Sequence, residues 1–164
     1  MTISFDAAFA RLMGNEGGYS NNPADPGGET MWGITARVAR KHGYMGAMKD
    51  LPQEIAKQIA KIEYWDVLRA DDLPFEIAFQ VFDIQYNGGH ASQWLQQAVG
   101  VEVDGQIGAA TLAAASAADP DKIVMLIDAA RLKYLVQLAA WPSFGKGWVN
   151  RVADNLTYAA LNKE

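Results

Sequence analysis

The segment PFEIAFQVFDIQY, from Pro74 to Tyr86, restricts the fold of this chain more than any other stretch. Phe75, Ile77, Phe79, Val81, Phe82, Ile84 and Tyr86 leave a helix of this length almost no polar face. A helix that is apolar nearly all round is stable only when other elements surround it. Pro74 opens it and Gly88-Gly89 supplies the stop. The expectation is a central, buried helix with the rest of the chain wrapped about it.

The flanking sequence supplies the wrapping. Ser4 is placed to cap a first helix, with Asp6 at the positive end of its dipole. Phe5, Phe9, Leu12 and Met13 recur there at spacings of three and four, and the same spacing reaches Glu16. From Gly17 to Gly28, GGYSNNPADPGG is too rich in Gly, Pro and Asn for either period and reads as a loop with tight turns. Glu29 to Ile34 is read as one half of a small hairpin. Thr35 is an N-cap candidate for a helix from Ala36 to His42, which Gly43 ends in the left-handed conformation. Asp50 begins another, with Ile55, Ile59 and Ile62 on one face.

Beyond the central segment, Ser92 caps Gln93 to Val99, and GVEVDGQIG leads into an alanine-rich helix from Ala109 to Ala118. Asp119-Pro120 starts a long helix to Ala140 carrying Ile123, Ile127, Ala130 and Tyr134. Trp141-Pro142 is expected to break it, before a final helix from Phe144 with Trp148, Val152, Leu156 and Ala159. Nothing separates these pieces, so residues 1–164 are read as one mostly α domain of about eight helices with a minor β-hairpin.

Composition removes several chemistries. A chain of 164 residues is the size of one domain that folds without covalent staples. It has no cysteine, which excludes disulfides, thiolate metal sites and cysteine nucleophiles. A three-ligand zinc site would need both histidines, His42 and His90, plus a carboxylate, so neither metal nor cofactor is expected. His90 is read as a surface residue between helices. The net charge of −5 weighs against nucleic acid as a partner. No apolar run reaches the roughly 18 to 20 residues of a membrane span, and no basic segment precedes an apolar core at the N-terminus. Neither a transmembrane segment nor a signal peptide is expected, and the chain is expected to be a monomer. Lys146, Arg151 and Lys163 beside Trp148 raise the idea of lipid contact by the last helix, against which Asp154 and Glu164 favour packing.

Glu16 stands out because it continues an apolar stripe and is followed by two glycines and a polar loop. Partial desolvation at the edge of a core raises a carboxyl pKa, and a carboxyl that stays protonated is a general acid. Asp25 is the candidate second carboxylate, in a different environment, and Thr30 the candidate to orient a water or hold Asp25. Each has a plainer reading. Glu16 at a helix end is simply solvated, Asp25 before Pro26 is a turn residue, Thr30 and Thr35 are strand and cap residues, and Trp32 is core.

The stretch NEGGYSNNPADPGGETMWGIT, Asn15 to Thr35, resembles the signature of glycoside hydrolase family 108, the lysozyme-like N-acetylmuramidases common among phage endolysins. YNGG at 86–89, Leu95-Gln96 and DGQIGAATL at 104–112 resemble the predicted peptidoglycan-binding region that follows in the same family. The resemblance implies a lysozyme-like fold with residues 1–90 as the catalytic region and 91–164 as a helical, peptidoglycan-binding-like region. It implies hydrolysis of the β-1,4 bond between N-acetylmuramic acid and N-acetylglucosamine, with Glu16 as the acid. The spacing from Glu16 to Asp25 equals the Glu-to-Asp spacing of related phage-type lysozymes; Thr30 lies one position early, where that pattern would take Met31.

Tyr19, Trp32, Thr35, Tyr86 and Asn87 are the candidates for lining the glycan cleft, against core packing for Tyr86 and a helix cap for Asn87. The DGQIG loop is read as support for the helical lobe. By the same resemblance the partner is the peptidoglycan glycan strand, and the protein waits in the host cytoplasm until it is released to the wall in the periplasm. Two other readings stand beside it. One is a lytic transglycosylase, which leaves a 1,6-anhydro end; the other is a non-catalytic peptidoglycan-binding or secretion-assisting module.

Overall fold

The computed structural model describes residues 4–15, 18–23 and 27–161. In chain order they form α1 (Phe5–Asn15), β1 (Thr30–Met31), β2 (Ile34–Thr35), α2 (Ala36–Lys41), α3 (Gln53–Ala60), α4 (Phe75–Asn87), α5 (Ala91–Val99), α6 (Ala109–Ala117), α7 (Pro120–Leu135) and α8 (Trp141–Leu161). The mostly α architecture with one small sheet is the one expected from the apolar periodicity.

α4 is the centre. Ile77, Ala78, Phe79, Val81, Phe82 and Ile84 on it are all 1 % exposed or less. α1 lies on α4 through rings: Phe5 sits 6.0 Å from Phe82 and 5.6 Å from Trp65, and Trp65 and Phe82 are edge-on at 5.2 Å. Such edge-to-face pairs add to the apolar area they bury. Ser4 starts α1 as its sequence predicts, its hydroxyl accepting from the Ala7 N–H at 3.2 Å. Phe5, Ala8, Phe9 and Leu12 form the buried face, with Met13 half-buried at its edge.

Several boundaries differ from the sequence reading, each for a local reason. The helix expected from Asp50 begins at Gln53, because Met48–Asp50 closes a separate 3₁₀ turn and Pro52 disfavours helix in the residue before it. A π turn over Lys61–Trp65 then adds one residue to the cycle, so Ile62 is 53 % exposed and Trp65 is buried in its stead. α5 begins at Ala91, and the N-cap is His90 rather than Ser92. The chain between α4 and α5 is too close for a longer linker: a Cβ on Gly89 would meet Ile84 at 2.5 Å and Trp94 at 2.9 Å. α7 stops at Leu135, not Ala140, and Trp141-Pro142 starts α8 instead of breaking a helix. Pro142 falls in the first turn, where an amide hydrogen has no intrahelical partner to lose.

The apolar reading of α4 overlooked two polar side chains that are fully buried, Gln80 and Asp83. Asp83 Oδ2 accepts from Arg131 Nη1 of α7 and Asn155 Nδ2 of α8, both at 2.8 Å, and Oδ1 accepts from Arg151 Nε of α8 at 2.9 Å. Gln80 Nε2 donates to the Asn155 carbonyl at 3.0 Å. One carboxylate thus ties three helices together, and removing one partner of such a buried pair costs about 3–5 kcal/mol.

Asp128 of α7 lies at the edge of this cluster, 1 % exposed, with no hydrogen-bond partner for either carboxyl oxygen among the described residues. Burial pushes its pKa up to about 7, the Asp83 charge adding to the rise and Arg131 opposing it. An acid whose folded pKa is raised stabilises the fold most below its unfolded pKa and loses that contribution as pH rises through the folded value. The melting temperature of the parent should therefore fall between about pH 4 and pH 7, and Asp128→Asn should flatten that slope. Thermal melts of both proteins across the range, with equal slopes, would show that Asp128 is not the titrating group.

Candidate active site

β1 and β2 pair antiparallel with Thr30 opposite Thr35 and Met31 opposite Ile34, which leaves Trp32-Gly33 as a two-residue turn. Both turn residues have positive φ, 56° and 78°, the form of turn whose twist matches the strands it joins. The segment read as half a hairpin is therefore almost the whole of one. The sheet extends outward, since Ser20 and Thr30 exchange backbone hydrogen bonds of 3.0 and 2.8 Å and the Ala36 N–H donates to the Glu29 carbonyl at 2.9 Å.

A tryptophan in the left-handed region is uncommon and must be held there. Its indole Nε1–H donates to the Leu51 carbonyl at 2.8 Å, and its own carbonyl accepts from the Tyr86 hydroxyl at 2.6 Å. The Tyr86 ring presses so closely on the turn that a Cβ on Gly33 would lie 2.5 Å from Cε1. Tyr64 packs on Tyr86 at 4.7 Å and Phe82 at 5.8 Å. Burial raises the Tyr86 pKa, so its hydroxyl stays a donor. The end of the Asn15–Thr35 motif is thereby clamped to the C-terminal turn of α4.

Glu16 and Asp25 lie outside the described residues. Of the other predicted site residues, the fold brings Thr30, Trp32, Thr35 and Tyr86 together around the hairpin, with Asn87 one residue beyond Tyr86. Tyr19 reaches the same lobe through its neighbour Ser20. Their polar groups are not equally available. The Trp32 indole N–H and Tyr86 hydroxyl hold backbone carbonyls, and the Thr35 hydroxyl accepts from the Val38 N–H at 3.3 Å as the cap of α2. These three shape the wall.

Asn87 is exposed, with Nδ2 donating to the Asp83 carbonyl at 2.8 Å. It opens on a small pocket of about 20 Å³ that Trp94, Tyr134, Trp148, Arg131 and Arg151 also line. Thr30 is half-buried and paired through its backbone on both sides. Tyr19 is 47 % exposed, and its hydroxyl donates to Glu29 Oε1 at 2.9 Å. Glu29 escaped the sequence reading because a lone acid between Gly28 and Thr30 follows no periodic pattern.

The two histidines stand apart from each other's surroundings. His42 Nε2 lies 2.7 Å from Glu63 Oε1, which Lys41 also reaches at 2.6 Å. Hydrogen bonds from Lys41 and then His42 hold the Glu63 carboxyl below its usual range. His90 is exposed, as expected, and packs edge-on to Trp94 at 5.6 Å and Tyr134 at 5.0 Å. Among the described residues no group of three His, Asp or Glu side chains is arranged to hold a metal ion.

Comparison with known proteins adds the context of this lobe. Residues 9–89 match the glycosyl hydrolase 108 family, and residues 90–153 match a predicted peptidoglycan domain. The two matches meet between Gly89 and His90, at the junction of α4 and α5. The solved structure of Brucella abortus SagA is 35% identical, with a TM-score of 0.88 over 98% of this chain and 96% of that one. No curated protein matches the chain.

The clamp is open to direct measurement. Tyr86→Phe keeps the ring and removes only the bond to Trp32, and should cost about 1 kcal/mol in denaturant unfolding. Gly33→Ala meets both the positive φ and the Tyr86 ring, and should cost about 1–3 kcal/mol. Unchanged unfolding midpoints for both would mean that the turn is held by something else.

Proposed function

The chain belongs to the glycosyl hydrolase 108 family, and from that premise we propose that it is a muramidase whose general acid is Glu16. Family and domain matches make it a glycosidase that degrades peptidoglycan. The bond we assign to it is the β-1,4 link between N-acetylmuramic acid and N-acetylglucosamine. The observation that carries this reading is the clamped hairpin. α1 delivers the chain to Asn15, and Tyr86 fixes Trp32, so the loop bearing the two candidate carboxylates starts and ends on anchored structure.

In this reading Glu16 gives its proton to the glycosidic oxygen as the bond to the anomeric carbon breaks. Ionised Asp25 stabilises the cationic sugar, a water held by Thr30 adds to the anomeric carbon, and the proton released by that water restores the acid. Tyr19 and Asn87, the exposed members of the set, touch the glycan; Trp32, Thr35 and Tyr86 form the wall behind it. The protein acts as a monomer without a cofactor. Its role is that of an endolysin, held in the host cytoplasm until release and working on the wall from the periplasm.

The test is Glu16→Gln on purified peptidoglycan. Release of reducing ends should fall by about 10²-fold or more, with the helical circular dichroism unchanged. A variant as active as the parent would remove Glu16 from the chemistry. Mass spectrometry of the parent's products should show reducing-end muramic acid with water added. 1,6-Anhydro ends would instead make the enzyme a lytic transglycosylase.

A further inference from the structure

Tyr19 is the only Phe, Tyr or Trp among the described residues that is exposed; all the others are at least half-buried. A ring left in water is ordinarily free to change rotamer, and this one is tethered. Its hydroxyl donates to Glu29 Oε1 at 2.9 Å, and the Asn21 side chain bonds to the same hydroxyl. The backbone explains why the three meet. Ser20 and Thr30 pair antiparallel, so residues 21 and 29 stand opposite each other across the strands. Side chains alternate along an extended strand, which puts Tyr19, Asn21 and Glu29 on one face, with Ser20 and Thr30 on the other.

The tether does little for the fold. A hydrogen bond to a group as exposed as Tyr19 adds at most a small increment to stability, and it restrains two side chains that would otherwise keep their rotamer freedom. What it accomplishes is orientation. The half-buried Glu29 is the firmer partner, seated where its own carbonyl accepts from the Ala36 N–H. Its carboxylate also raises the Tyr19 pKa, first by the hydrogen bond, which keeps the phenol a donor. An aromatic face fixed in advance toward solvent suits stacking on a pyranose ring, and ordering it before contact removes an entropic penalty from binding.

We propose that Glu29 is a positioning residue for glycan binding, holding the Tyr19 ring as a stacking platform for a sugar of the peptidoglycan strand. The proposal rests on the reading of this lobe as the glycan-cleaving site. Glu29 acts on the sugar through Tyr19, not on the bond that breaks.

The experiment compares parent, Glu29→Ala, Glu29→Gln, Tyr19→Phe and the Glu29→Ala/Tyr19→Phe double variant. Binding is measured by co-sedimentation with purified insoluble peptidoglycan, and KM and kcat by release of reducing ends. Glu29→Ala and Tyr19→Phe should each weaken binding and raise KM by about 3- to 10-fold with kcat little changed. The double variant should be no worse than either single one, because both remove the same bond. Glu29→Gln keeps an acceptor oxygen and should restore most of the binding. Unchanged binding in Glu29→Ala, additive losses in the double variant, or a fall in kcat with binding intact would each overturn the proposal. If the parent binds peptidoglycan but releases no sugar ends, the hydrolytic reading fails while the binding series still decides the role of Glu29.

Discussion

The carboxylate of Asp83 organises this molecule. It sits wholly inside a helix that would otherwise be apolar, and it is tolerable there only because Arg131, Arg151 and Asn155 converge on its two oxygens. A buried charge carries a desolvation penalty of several kcal/mol, so the arrangement forbids any packing of α7 and α8 on α4 that does not bring those partners into place. Apolar surfaces slide past one another with little loss; this contact has one register. The stretch matching the hydrolase family and the stretch matching the peptidoglycan domain are joined through it, since Asp83 belongs to the first and Arg131 and Arg151 to the second.

The same helix serves both ends of the architecture. Its middle carries the charged joint, and its last turn carries Tyr86, which reaches across to the hairpin. The site lobe is therefore positioned by the element most deeply embedded in the protein. The wall of the candidate cleft inherits the rigidity of α4, while Tyr19 and Asn87, which face water, stand at its margin. Rigid elements locate functional groups more accurately than loops do, and here a loop borrows that accuracy through two backbone carbonyls, those of Trp32 and Leu51.

Much of this was legible in the residues, because one physical signal dominates it. The burial of α4 followed from its apolar run, Ser4 and Thr35 capped the helices their positions predicted, and Gly43 and Gly88 took the left-handed conformation that ends a helix. What escaped was set by partners far away in the chain. Nothing near Asp83 announces that its counter-charges lie 48 and 68 residues later. Trp141-Pro142 has the composition of a break, and only the turn at its entry decides that proline occupies the first turn of a helix. In the site, Trp32 and Tyr86 were chosen as sugar contacts from residue type, and residue type does not reveal that the polar atom of each holds a backbone carbonyl. Glu29 was invisible for the opposite reason, as its role depends on a cross-strand neighbour.

The bond from Tyr86 to Trp32 spans 54 residues, and its length along the chain bears on when the protein becomes competent. Contacts between distant segments form late, because the intervening chain must first be ordered. The hairpin turn cannot be locked while α4 is still undocked, and α4 docks fully only when helices from the last third of the chain supply its counter-charges. The clamp therefore depends on long-range packing and not on the hairpin's own sequence. A chain emerging during synthesis presents its hairpin residues well before the helix that anchors them, so the final geometry of the turn waits on α4.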